Sequence, residues 1–208
     1  SPDFPATPNL LDFAFGEWAT MRERTGDVHA RAFPLPFLPA RRLGQKTEPV
    51  AIPRLGVRPN GYVTGLTAES ACAAAGKRLC SLAEFVTACR GEDDTAFPYG
   101  DSYEEGACNV YRDEHPAAIL HDNASIGHLD PRLNRVSPHH RPLYQSTGES
   151  LACRSRFGAD AAYDMAGNID EWVDEGNGAF AGGFYSRSTR AGCDALITAH
   201  PRTYLDYS

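Results

Sequence analysis

Hydrophobic positions fall at helical spacing in three places along the chain. Leu11, Phe15 and Trp18 place an amphipathic helix within 10–24. Thr67 reads as the N-cap of a second helix that runs to Ala75 and stops at Gly76. Ser81-Leu-Ala-Glu84 is a capping box opening a third, which ends at Gly91 and carries Leu82, Phe85, Val86 and Cys89 on one face. Phe33-Pro-Leu-Pro-Phe-Leu-Pro39 reads as extended, because proline fixes its own φ and restricts its predecessor. Beyond Gly91 the periodicity fades into turns at Glu92-Asp-Asp94, Gly100-Asp101, Asp130-Pro131 and Ser137-Pro138. A loop stretch of that length inside a compact domain is functional, or is held by metal or disulfides. Short Gly-rich strands follow from Ala179 to Tyr185, and no internal repeat is present. This pattern divides the chain into a Pro-rich N-terminal elaboration, 1–60, packed on a main domain, 61–208.

Composition narrows the picture. A chain of 208 residues suffices for one domain with a substantial core, and 19 glycines with 15 prolines favour a loop-rich fold over a helical bundle. The formal charge of -7 argues against a nucleic-acid partner. No apolar run is long enough to span a bilayer, and no segment reads as a signal peptide. Ser1 and Ser208 read as the ends of a mature or trimmed chain. Six cysteines in a loop-rich chain point to disulfides and an oxidising compartment, so the protein is expected to be secreted or periplasmic. Cys89 and Cys108 bracket 97–100 and are expected to pair. Cys72 and Cys80 flank a helix end and are either bridged or buried thiols.

The densest chemistry lies in Tyr163-Asp-Met-Ala-Gly-Asn-Ile-Asp-Glu-Trp-Val173. Asp164 and Glu171 are hard oxygen donors seven residues apart, and the Gly167-Asn168 turn between them can aim carbonyls inward. Calcium takes six to eight such oxygens at about 2.3–2.6 Å. The competing reading is a tight turn with a solvated acidic rim. Among the seven histidines no pair has the spacing of a helical metal face. His139-His140 reads as a solvated loop pair, and His121 and His128 share a loop where they could converge on a metal.

The stretch resembles the signature Y-D-M-x-G-N-x-x-E-W of the formylglycine-generating, or sulfatase-modifying factor, family. Gly76-Lys-Arg-Leu-Cys-Ser-Leu-Ala-Glu-Phe85 with Ala88-Cys-Arg-Gly91, Phe97-Pro-Tyr-Gly100 and Ala181-Gly-Gly-Phe-Tyr185 resemble three further family segments in the family's order. The resemblance implies an α+β, C-type-lectin-like fold: loop-rich, with two helices and small twisted antiparallel sheets. It implies a structural calcium held by side chains of Asp164 and Glu171 and carbonyls of Gly167 and Ile169. It also implies a second site starting at Asn109-Val110, completed from Asp113, Asp122, Asn123 or Asp130. Family members usually finish with a Gly-Phe-Arg strand, which this sequence does not contain.

The family's best-known reaction, oxidation of a sulfatase cysteine to formylglycine, uses two thiolates that bind copper(I). Their positions here read Arg187 and Gly192, with Cys193 one residue further on. Phe184 stands for the family's Ser, and Asp170 for a usual Trp. Copper and formylglycine generation are therefore not expected. The leading reading is a non-catalytic module for a protein or glycan ligand, displaying Tyr185, Arg187, Arg190, His200, Arg202, Tyr204 and Tyr207. The alternative is a metal-dependent oxidoreductase with a divergent site using Cys193 or His200.

Overall fold

The computed structural model describes residues 49–208 apart from Tyr111, Leu129, Pro131, 188–190 and Asp206. The expected helix within 10–24, the extended 33–39 segment and Arg190 lie outside the described residues.

Two helices begin the described domain. Helix α1, Gly65–Ala74, starts three residues earlier than the sequence suggests. Thr64 is its N-cap, because the Thr64 hydroxyl oxygen accepts the Thr67 N–H at 3.2 Å and leaves Thr67 inside the first turn. Helix α2, Leu82–Arg90, opens with the expected capping box: Ser81 and Glu84 bond each other's backbone N–H groups. Its inward face carries Phe85 and Cys89, both buried. A third helix, α3, Pro116–His121, was not foreseen. It begins with Pro at its first turn and is capped by the His115 ring nitrogen.

Five short strands complete the fold. β1, Arg154–Phe157, and β2, Asp160–Tyr163, form an antiparallel hairpin around Gly158-Ala159. Gly158 has φ +61, the glycine-first pattern of a two-residue hairpin turn. β3, Glu171–Val173, β4, Ala179–Ala181, and β5, Leu196–Ile197, form a second antiparallel sheet in sequence order. The residues of β4 are all buried, as befits a central strand covered on both faces.

Two disulfides join these parts. Cys89 at the end of α2 bonds Cys193, and Cys108 bonds Cys153. The expected Cys89–Cys108 bridge is thereby corrected. The 97–100 turn closes on its own backbone, Phe97 and Gly100 exchanging hydrogen bonds, and it leaves Cys89 facing the 192–194 turn. That turn fits only because residue 192 is glycine: a Cβ there would lie 2.3 Å from the Ala96 carbonyl oxygen. Cys72 and Cys80 are free thiols; Cys80 is exposed and Cys72 half-buried, so neither is the buried thiol considered from sequence. Among the described residues no helix is long and apolar enough to cross a membrane.

Residues 49–60 are tied to the rest of the domain. The Ala51 N–H reaches the Ala71 carbonyl, while Gly56 and Val57 exchange backbone hydrogen bonds with Thr147. The largest core cluster gathers Tyr62, Leu133, Leu143, Ile169, Phe184 and Tyr185 with their neighbours, directly beneath the 164–171 loop.

Candidate functional site

The loop leaving β2 turns sharply at two positions. Asp164 has φ +58 and Asn168 φ +65, both in the left-handed region that Asp and Asn tolerate better than most residues. Gly167 has φ +80, and a Cβ there would collide with the Asn109 carbonyl at 2.5 Å and with Val110 at 2.3 Å. Glycine is thus required both for the turn and for the close approach of the 108–110 segment.

A buried pair of asparagines holds these segments together. The Asn168 side-chain oxygen accepts hydrogen bonds from Asn109 Nδ2 and from the Gln145 N–H, each at 2.9 Å. Asn168 Nδ2 donates to the Gln145 carbonyl at 3.1 Å. Asn109 Nδ2 also donates to the Leu143 carbonyl, and its Oδ1 accepts from Arg112 Nε. The Asn109 carbonyl accepts the Asn168 N–H. Buried amides bonded this fully fix a loop's shape. Sequence reading treated Asn168 only as a turn residue and Asn109 only as a candidate ligand; their partnership across 59 residues leaves no local signal.

Around this frame the carboxylates sit in poor solvent. Asp164 accepts the Gly148 N–H at 2.5 Å, yet burial raises its pKa above the ordinary value. Glu171 is pushed up to about 7, first by burial and then by the charges of Asp164 and Asp170. Mutual repulsion in a partly desolvated place is the situation a divalent cation relieves. Asp164 and Glu171 are the side chains of this loop that could hold a divalent cation such as calcium.

The Asn109-Val110 segment meets the same turn rather than standing apart. Its side chain and carbonyl already serve the asparagine frame. Of the downstream candidates, the Asp130 carboxylate is fully buried against Arg132 and His121, and Asn123 caps its own loop at Ser125. Asp122 ends α3 in the left-handed conformation, and Asp113 is exposed.

Among the departures from the family pattern, Arg187 meets both Asp170 and Phe184. The Arg187 guanidinium contacts the Asp170 carboxylate at 2.8 Å and lies 4.8 Å above the Phe184 ring. The Asp170 side chain is 1 % exposed. Cys193 is bonded to Cys89 and offers no thiolate. A guanidinium carries no lone pair for a metal, so this set of residues does not fit copper(I).

The expected recognition residues divide. Tyr185 is 1 % exposed and Tyr207 2 % exposed, so both belong to the core rather than to a displayed surface. Both rings pack edge-on against Phe184. His200 and Tyr204 stack at 3.8 Å with planes 12° apart, and both lean edge-on against Phe180. Arg202 pairs with Glu69 of α1 and with Asp174, pinning the C-terminal segment to the helix. His121 turns to Asp130, while His128 faces His115 at 6.3 Å between ring centres instead of joining His121.

The family model described as Sulfatase-modifying factor enzyme 1-like domain matches residues 41–190. No curated protein matches the chain.

Proposed function

The chain belongs to the Sulfatase-modifying factor enzyme 1-like family, with its α+β, loop-rich, C-type-lectin-like architecture, and on that footing we propose that it is a secreted, calcium-stabilised recognition module without formylglycine-generating activity. The observations that carry the loss of that activity are the Arg187–Asp170 ion pair and the Cys89–Cys193 disulfide. They support this reading because the resemblance sets Arg187 at the first thiolate position, and Cys193, one residue past the second, is oxidised. A disulfide must be reduced before it can ligate a metal, and the cation opposes a copper ion at short range.

Calcium would be held by Asp164 and Glu171 side chains with the Gly167 and Ile169 carbonyls. Bound there, it would neutralise adjacent carboxylates and lock the loop that carries the asparagine frame. Asn168 orients the turn, and Asn109 keeps the neighbouring segment against it. The ion's role is structural.

The recognition surface is centred on the His200–Tyr204 stack, with Arg202 between them in sequence and Arg187 as a further, partly exposed charge. A half-exposed aromatic platform with guanidinium groups suits a protein or glycan ligand. Two disulfides fit an extracellular setting.

The test is incubation of the full chain with copper(I), oxygen and a peptide carrying the sulfatase motif, read by mass for the aldehyde. The reading expects none, and metal analysis of protein purified without chelator should return calcium. Aldehyde formation, or stoichiometric copper or iron, would favour the divergent oxidoreductase instead.

A further inference from the structure

An open polar cleft is lined by residues from 103–114 and 138–150; it lies apart from Asp164, Glu171 and the Arg187 cluster but shares Asn109, Val110 and Asp113 with the implied second calcium site. It encloses about 420 Å³, and its lining includes Arg112, Arg141 and His139 together with Glu105, Asp113 and Glu114.

Arg112 is the informative residue. Its Nε donates to Asn109 Oδ1 at 2.7 Å and its Nη1 to the Pro142 carbonyl at 3.2 Å, both neutral acceptors. Its backbone N–H is tied to the Tyr185 carbonyl at 3.1 Å. The guanidinium is thus held in place from both ends, while Nη2 has no hydrogen-bond partner among the described residues. Arg90, Arg132, Arg187 and Arg202 each meet a carboxylate within ion-pair distance; half-buried Arg112 meets none among the described residues. Burial and the nearby Arg141 act against its charge, outweighing the support of Glu114 and Glu149, neither of which reaches it within ion-pair distance. A positioned, desolvated guanidinium with an unused donor is built to receive an oxyanion.

Two further features point the same way. His139 in the lining and its neighbour His140 both have positive φ, +51 and +62, and strained non-glycine backbone clusters at functional loops. The three acidic residues in the lining would repel a ligand of purely negative charge. A ligand with both charges meets both sets of groups.

We propose that this cleft binds a small zwitterion, an amino acid or dipeptide, with its carboxylate on Arg112 and Arg141 and its ammonium facing Glu105, Asp113 and Glu114. The cleft involves neither the Asp164–Glu171 pair nor the His200–Tyr204 surface, and calcium at Asn109 and Asp113 would compete with the ammonium group. Gln145 and Ser150, also in the lining, supply neutral polar contacts along the wall.

The experiment titrates the full chain with glycine, glycylglycine, acetate and inorganic phosphate, followed by calorimetry and by amide NMR shifts. Saturable binding of glycine or glycylglycine is expected, with shifts at Arg112 and Gln145 and distinctly weaker binding of acetate and phosphate. Arg141→Gln removes an exposed side chain without disturbing the fold, and Arg112→Lys keeps the charge while losing the fork. Each should weaken binding by about tenfold or more. Acetate or phosphate binding as tightly as the zwitterions would overturn the assignment. So would zwitterion affinity unchanged in both variants, or no saturable binding of glycine or glycylglycine.

Discussion

Arg187 and Asp170 form a pair in which the acid is buried and the base is only partly so: the Asp170 side chain is 1 % exposed and the Arg187 side chain 32 %. The asymmetry sets the consequence of breaking it. Removing the guanidinium withdraws compensation from a carboxylate that water barely reaches, whereas removing the carboxylate leaves a cation that can turn to solvent.

Arg187→Met should therefore destabilise the fold by about 3 kcal/mol in urea unfolding. Asp170→Asn should cost less, and the double variant should be more stable than Arg187→Met alone. Equal losses in both single variants would place the pair's importance in packing on Phe184 rather than in charge.

Glu171 is expected to give the domain a pH response that bound calcium would change. Its folded pKa, about 7, lies above the ordinary carboxyl value of 4.5. The folded state therefore holds the proton more tightly. That contribution is complete below about pH 4.5 and is lost as pH rises to 7. Chelated protein should lose roughly 3 kcal/mol across that window from this group. Calcium, which prefers the carboxylate, should flatten or reverse the trend. Melting curves at pH 5 and pH 8, with and without chelator, check the sign, and Glu171→Gln should remove most of the loss.

Asp164→Asn is the cleaner probe of the ion itself. Asparagine tolerates φ +58 and can still accept the Gly148 N–H, so the turn survives while a carboxylate charge disappears. Native protein should lose about 2–4 kcal/mol on chelation at otherwise saturating calcium. The variant should show little response. A variant that responds as the native chain does would move the ion elsewhere.

Disulfide mapping has a defined outcome. Unreduced protein should yield Cys89–Cys193 and Cys108–Cys153 peptides, and alkylation should label Cys72 and Cys80. Replacing both Cys89 and Cys193 by Ala should cost about 4–5 kcal/mol, since that bridge spans 104 residues. Loss below about 1 kcal/mol would show that the unfolded chain is already restrained.

Legibility from sequence followed range. The capping box of α2 was plain because Ser81 and Glu84 are three apart and speak only to each other's backbone. The start of α1 was misplaced because Thr64 and Thr67 both have cap chemistry. Their order is settled by burial, Thr64 being fully enclosed. The β1–β2 hairpin escaped notice because Gly158-Ala159 is a weak turn signal and three of the four β1 residues are exposed. The acidic pair Asp164 and Glu171 was visible in one motif, and the structure puts both in a setting where their charges interact. The Asn109–Asn168 frame and the partner of Cys89 were not, since each joins segments far apart in the chain.

The two bridges are nested: the ring closed by Cys108 and Cys153 lies wholly inside the ring closed by Cys89 and Cys193. A single peptide-bond cut anywhere from 90 to 192 therefore yields two fragments that stay covalently joined. For a cut inside 109–152, as at an exposed loop position, the halves are linked by both sulfur bonds. Such a chain can be nicked in a hostile milieu and still migrate, and refold, as one molecule until a reductant reaches it.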